Sequence, residues 1–341
     1  MGESGGSRRA ISSRTDGSSI LSAMTNYCEA MLEAHRWLMR ERSEVFCIGQ
    51  GLWSPWYVGN SMRDLEKEFG LERVIDTPVS EAATTSAALG AALGGYRPIV
   101  VHPRMDFAVL AMDAIVNQAA NWNHMFGGGI SVPLTVRMII NRGGEQGAQH
   151  SQALHAWFAH VPGLRVVMPA TPADARDLLI ASVLSDDPVM YIDDRWLYET
   201  EEELGQVETV DLRDVRPRVR REGTDITLVS TGYGTSACLS AAELTGNLTC
   251  EGVDVPVIHP MRDEDWGVIR DSYGRTGRLL VVDAAWGSCG WAASVTAIIG
   301  GGQTLTMESA PAPTSGGLEA DYYRPMQAES VAAKVRGLCD A

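Results

Sequence analysis

Short apolar runs alternate with helix-forming stretches along most of this chain, and that alternation restricts its fold more than any other feature. Val45-Phe-Cys-Ile48, followed by Gly49, has the continuous apolar character of a strand buried on both faces. Val74-Ile75, Pro98 to Val101, Val132 to Ile140, Arg165 to Met168 and Pro188 to Ile192 repeat the pattern. Helices are expected over Ile20 to Arg42, Asp64 to Phe69, Ser80 to Gly95, Asp113 to Trp122 and Pro172 to Ser185. Parallel neighbours need long crossover connections, so this order implies a parallel sheet with helices on both faces.

The pattern breaks between Tyr198 and Gly223, where TEEEL and RPRVRRE carry no sustained apolar period. It restarts with Ile226 to Val229, a helix over Ser236 to Leu244, Val255 to Ile258, Leu279 to Asp283 and a helix over Trp291 to Ile299. The chain therefore reads as α/β with two doubly wound domains, consistent with a length of 341 residues. The expected division is a disordered tail over 1–19, a first domain over 20–198, a linker over 199–223 and a smaller domain over 224–341.

A formal net charge of -15 argues against nucleic acid or an anionic membrane as partner. No apolar run reaches the ~20 residues of a membrane span. The N-terminal Gly, Ser and Arg residues lack the apolar core of a secretory signal. Six scattered cysteines without a CxxC pair suggest neither a disulfide framework nor a zinc site, and a cytoplasmic protein with reduced thiols is expected.

Three segments follow successive strands, where the strand ends of a parallel sheet form a ligand crevice. Asp76-Thr-Pro-Val-Ser-Glu81 opens the Ala-rich helix, Pro103 to Asp113 contains Phe107, and Gln149-His-Ser-Gln152 follows the loop Arg142-Gly-Gly-Glu-Gln-Gly147. Taken singly, Glu81 reads as a cap or solvated charge, Phe107 as core, and His150 as an exposed loop residue.

In order, these segments resemble the β subunit of the thiamine-diphosphate-dependent decarboxylase of 2-oxo acid dehydrogenase complexes. The resemblance rests on Ile75 to Glu81 with Gly90-Ala-Ala92, on Phe107 and Ala111 to Ala120, and on Ala148 to Gln152. Ala156 to Ala175, Asp186-Asp-Pro-Val189, Thr227 to Gly232 and Leu279 to Trp286 extend it over about residues 20–335. It implies a thiamine pyrimidine-binding domain followed by a transketolase-type C-terminal domain. It also implies that Glu81 hydrogen-bonds the cofactor's pyrimidine nitrogen and that Phe107 stacks on the ring. His150 would stand near the reacting carbon. A potassium ion would lie at the backbone of Leu134, Ser182, Ser185 and Asp187.

The chain contains no Gly-Asp-Gly, the motif with which thiamine enzymes hold the diphosphate and Mg²⁺. The resemblance thus implies half a site, completed by an α-type subunit in an α2β2 assembly. Gln50 stands in the pyrimidine region where the family commonly has Glu, in a supposed proton path that also includes Asp113. The implied reaction is decarboxylation of a 2-oxo acid with transfer of the acyl unit to a lipoyl-bearing acyltransferase. The alternative is carbon–carbon ligation to an aldehyde or ketone, of the transketolase or acyloin-forming kind.

Overall fold

The computed structural model describes residues 24–54 and 56–340, so the expected tail over 1–19 lies outside the described residues. Its fourteen strands are β1 (Met24–Asn26), β2 (Val45–Gly49), β3 (Val74–Asp76), β4 (Arg97–His102), β5 (Thr135–Ile140), β6 (Arg165–Val167), β7 (Val189–Asp194), β8 (Glu201–Glu203), β9 (Arg218–Arg221), β10 (Ile226–Ser230), β11 (Cys250–Asp254), β12 (Val257–His259), β13 (Leu279–Trp286) and β14 (Gln303–Met307). One sheet runs β12-β6-β7-β5-β4-β2-β3 and a second runs β14-β13-β10-β11-β9. Both are parallel except at one edge, where β12 meets β6 and β9 meets β11 in antiparallel fashion. The α/β class and the two-domain architecture are those read from the sequence.

Alternate residues of the first sheet feed two different cores. Ile48, Val100, Val136 and Met190 point toward the Ala-rich helix Glu81–Leu93 and the second domain. Cys47, Ile99, Val101 and Val189 point toward the helices Tyr27–Glu41 and Pro172–Leu184. Caps set where these helices start: Asn26 Oδ1 accepts from Glu29 N at 2.9 Å, and Thr171 Oγ1 accepts from Asp174 N at 3.3 Å. Each such cap contributes about 1 kcal/mol.

Four expected elements differ. The helix expected from Ile20 begins at Tyr27, because Asn26 caps it and Met24–Asn26 pairs with β8; residues 20–23 lie outside the described residues. The stretch 199–223, expected as a linker, contains β8 and β9. In β9 the alternating positions are arginines rather than apolar residues, which hid the strand. Arg218 reaches Asp174 Oδ1 at 2.8 Å, and Arg220 reaches the buried Asp254 at 2.9 Å, so the basic run neutralises carboxylates from both domains. The strand expected over Val255 to Ile258 is displaced: the second sheet takes the preceding Cys250–Asp254 as β11, whereas the expected run gives β12, which crosses over and covers the β6 edge of the first sheet. The helix expected over Asp113 to Trp122 is preceded by a 3-10 turn, Met105–Ala111, and opens as a π-helix, Asp113–Ala119, before an α-helix, Ala120–Met125.

Candidate active site

Gln50 follows β2, Glu81 follows β3 and Pro103 follows β4, and the three line one narrow cleft at the carboxyl ends of the strands. Gly49 makes this closeness achievable, since a Cβ there would lie 2.4 Å from the Val101 carbonyl oxygen. Glu81 is the first residue of its helix and only 9% exposed. Unpaired backbone N–H groups and the helix dipole favour a carboxylate at that end. The Glu81 carboxyl accepts no hydrogen bond from any described residue. Asp76, the other acid of the motif, is already engaged: its carboxylate accepts from Gly51 N at 2.7 Å and Trp53 N at 3.3 Å, fixing the loop after β2. Of the two acids, only Glu81 has a carboxyl without a hydrogen-bond partner among the described residues.

Phe107 and His150 come together from separate loops. Their ring centres are 5.3 Å apart, edge to face at 84°. Asp106 ties the same two segments, its Oδ1 accepting from Gln152 N at 3.1 Å and Gln152 Nε2 at 2.9 Å. Burial pushes the Asp106 carboxyl pKa up, although these hydrogen bonds oppose the rise. The 3-10 turn carrying Phe107 packs on the helix that Glu81 begins and starts just beyond Pro103 in the cleft. The second domain clamps the loop before His150: Glu145 N donates to Glu319 Oε2 at 2.9 Å, and Gly316 N donates to Glu145 Oε1 at 2.6 Å. Gly147 has φ of +70°, and a Cβ there would lie 2.5 Å from Thr314 Cγ2.

Gln50 sits in the cleft and donates through Nε2 to Tyr57 Oη at 2.6 Å. Asp113 is exposed and accepts from Asn117 Nδ2 at 2.8 Å, so the structure does not bring it into contact with Gln50. Sequence reasoning missed Tyr57, Asp106 and Gln152, whose partners are set by loops meeting in space and leave no spacing signal.

The segments holding Leu134, Ser182, Ser185 and Asp187 do converge, with Val132 N donating to Asp186 O at 3.1 Å. The Leu134 carbonyl accepts from Val189 N at 2.9 Å, and that of Ser182 from Ser185 N at 3.3 Å. The Ser185 carbonyl accepts from Arg97 Nη1 at 2.8 Å, and the Asp187 carboxylate from Arg165 Nε at 2.7 Å. Each of these carbonyls retains a second lone pair, the kind of donor a hard cation takes. Among the described residues, no three His, Cys, Asp or Glu side chains converge on a metal-sized site, and no helix is long and apolar enough to cross a membrane.

Residues 23–200 match the family model of the transketolase pyrimidine binding domain, and residues 215–335 that of the transketolase C-terminal domain. The chain is 33% identical over 323 residues to the β subunit of acetoin:2,6-dichlorophenolindophenol oxidoreductase from Bacillus subtilis, covering 87% of this chain and 92% of that one. It is 35% identical over 260 residues to the pyruvate dehydrogenase E1 component subunit beta of Rhizobium meliloti, covering 76% of this chain and 56% of that relative. A split-gene transketolase, described as an inactive β4 tetramer, superposes with a TM-score of 0.68 at 19% identity over 91% of this chain and 98% of that one, a likeness of fold. The Glu81 carboxyl at the start of the helix after β3 has no hydrogen-bond partner among the described residues, Phe107 and His150 pair on neighbouring loops, and the matches span both domains: this chain belongs to the transketolase family, among the β subunits represented by those of pyruvate dehydrogenase E1 and acetoin oxidoreductase.

Proposed function

We propose that this chain is the β subunit of a heteromeric thiamine-diphosphate enzyme that decarboxylates a 2-oxo acid and passes the acyl unit to a lipoyl acceptor. The observation that carries the reading is the Glu81 carboxyl, buried in the strand-end cleft with no hydrogen-bond partner among the described residues. The bound cofactor supplies an electron sink for the carbon that loses CO₂. Glu81 holds a proton opposite a pyrimidine ring nitrogen and so sets which tautomer of the ring is present. Phe107 covers an aromatic face, and its edge-to-face contact fixes the plane of the His150 imidazole. His150 orients the substrate carbonyl or donates to the oxygen where negative charge develops.

An α-type partner carrying the diphosphate and Mg²⁺ ligands, in an α2β2 assembly, completes this reading. Its support is the missing Gly-Asp-Gly and the β-subunit designation of the relatives. The purified chain alone should therefore bind thiamine diphosphate weakly and without dependence on Mg²⁺ in calorimetric titration. Tight, Mg²⁺-dependent binding by the lone chain would falsify the half-site reading.

A second reading is carbon–carbon ligation to an aldehyde or ketone, for which the same Glu81 cleft would serve. Supplying the assembled complex with a 2-oxo acid and either lipoamide or an aldehyde separates the two by product.

Potassium at Leu134, Ser182, Ser185 and Asp187 belongs to the same proposal, supported by the lone pairs left on converging carbonyls. A cation bound only by the folded state at ~10 times its Kd adds about 1.4 kcal/mol. The melting temperature should accordingly rise by about 2 °C in KCl over NaCl at equal ionic strength. Equal temperatures would mean that Arg97 and Arg165 supply the positive charge at this corner without a cation.

A further inference from the structure

Arg104 immediately precedes the 3-10 turn that carries Phe107, and elements of the candidate site bound its guanidinium on three sides. Nη1 donates at 2.8 Å to the carbonyl of Pro103, which lines the Glu81 cleft. Nη2 donates at 3.2 Å to Gln146 Oε1, on the loop that leads to His150. The guanidinium carbon lies 6.0 Å from the ring centre of Tyr57, whose hydroxyl accepts from Gln50. Tyr57 thus links this arginine to the residue beside Glu81.

What distinguishes the group is its unbalanced charge. No described carboxylate lies within ion-pair distance of Arg104, and its Nε is buried without an acceptor. Arg195, the next cation acting on it, donates only to neutral oxygens: Asn141 Oδ1 at 2.8 Å and the Trp56 carbonyl at 3.0 Å. Burial, and then the Arg195 charge, pull the Arg104 pKa down, while Asp106 opposes them from beyond ion-pair reach. The buried arginines Arg137 and Arg142 are matched differently, each having its own carboxylate, Asp193 and Asp194. A half-buried guanidinium without a counter-charge, whose Nη1 and Nη2 each keep a second N–H beyond those given to Pro103 and Gln146, is a suitable receptor for carboxylate or phosphate.

We propose that Arg104, supported by Arg195, binds an anionic group carried by the substrate away from its reacting carbonyl. The enzyme then selects substrates with a second anionic end, a dicarboxylate or a phosphorylated keto compound, over simple monocarboxylic 2-oxo acids. Placing that group on a substrate rests on the thiamine reading above; the anion site itself stands on the geometry of this chain.

The test uses wild type, Arg104→Gln and Arg104→Lys. Calorimetric titration of the full-length chain with glutarate, and separately with inorganic phosphate, reads the site without turnover. At least one anion should bind wild type, about tenfold more weakly to Arg104→Gln, as expected for loss of a charge-assisted contact, with Lys restoring part of the affinity. Which anion binds distinguishes a carboxylate-bearing from a phosphorylated substrate. In the assembled complex, kcat/KM is measured for 2-oxobutyrate against 2-oxoglutarate, or against a ketose phosphate where phosphate is the anion that binds. Arg104→Gln should lower the ratio in favour of the doubly anionic substrate by about tenfold, mainly through KM. No anion binding by wild type, equal binding by Arg104→Gln, or an unchanged substrate ratio would each overturn the proposal. Anion binding that depends on Arg104, in a complex that turns over none of these substrates, would sustain the site and sink the thiamine reading instead.

Discussion

Glu81→Gln should reduce turnover of the assembled enzyme by about 10²–10⁴-fold, the usual contribution of a positioned general acid or base. The amide keeps the shape and a hydrogen bond but cannot hand a proton to a ring nitrogen. Because the Glu81 carboxyl accepts no hydrogen bond from any described residue, the fold has little to lose. Stability should change by less than ~0.5 kcal/mol, as for substitutions away from structural networks. Two measurements decide the matter: turnover of the complex with a 2-oxo acid, and chemical denaturation of the variant chain. Retention of more than about a third of wild-type turnover corresponds to under ~1 kcal/mol of barrier, and it would remove Glu81 from the proposed role.

Arg137→Met should instead cost about 3–5 kcal/mol of stability, the typical penalty for stripping one partner from a buried ion pair. Arg137 and Asp193 are fully buried on neighbouring strands, with Nη2 and Oδ2 2.9 Å apart. Ile139 is the direct partner of Asp193 across β5 and β7, so Arg137 lies diagonally two residues before it on the same face. Tyr198 Oη also donates to Asp193, and the Tyr198 ring stacks on Tyr27 at 5.9 Å. Desolvation works to lower the Arg137 pKa, but Asp193, together with Tyr198 and Tyr191, outweighs it and holds the pKa above the usual arginine value. Removing the guanidinium leaves a carboxylate with no counter-charge in an apolar core, against a total stability of roughly 5–15 kcal/mol. Arg137→Met with Asp193→Leu should recover much of the loss, because both desolvation penalties then vanish. Denaturant midpoints of the single and double variants give the coupling. A single-variant cost below about 1 kcal/mol would contradict a charged, desolvated pair.

The features legible in the sequence were local in origin. Apolar runs marked the strands, helical spacing and small residues marked the helices, and their alternation implied parallel sheets with ligand residues at strand ends. The segments carrying Glu81, Phe107 and His150 were legible as a group because each follows a strand, and parallel strands bring such ends to one edge of a sheet. Which residues meet across loops was decided only in three dimensions. Nothing in the spacing of Phe107 and His150 states that their rings touch, or that Asp106 receives both donors of Gln152. The strand β9 was hidden because its alternating positions are arginines paired with Asp174 and Asp254, so burial there is by charge compensation rather than by apolar period. β12 leaves the domain in which its sequence sits because the open edge of β6 offers unpaired backbone groups to whichever chain segment lies beside it. The isolated charge of Arg104 is likewise a tertiary fact: a guanidinium is unbalanced only relative to carboxylates that folding places elsewhere.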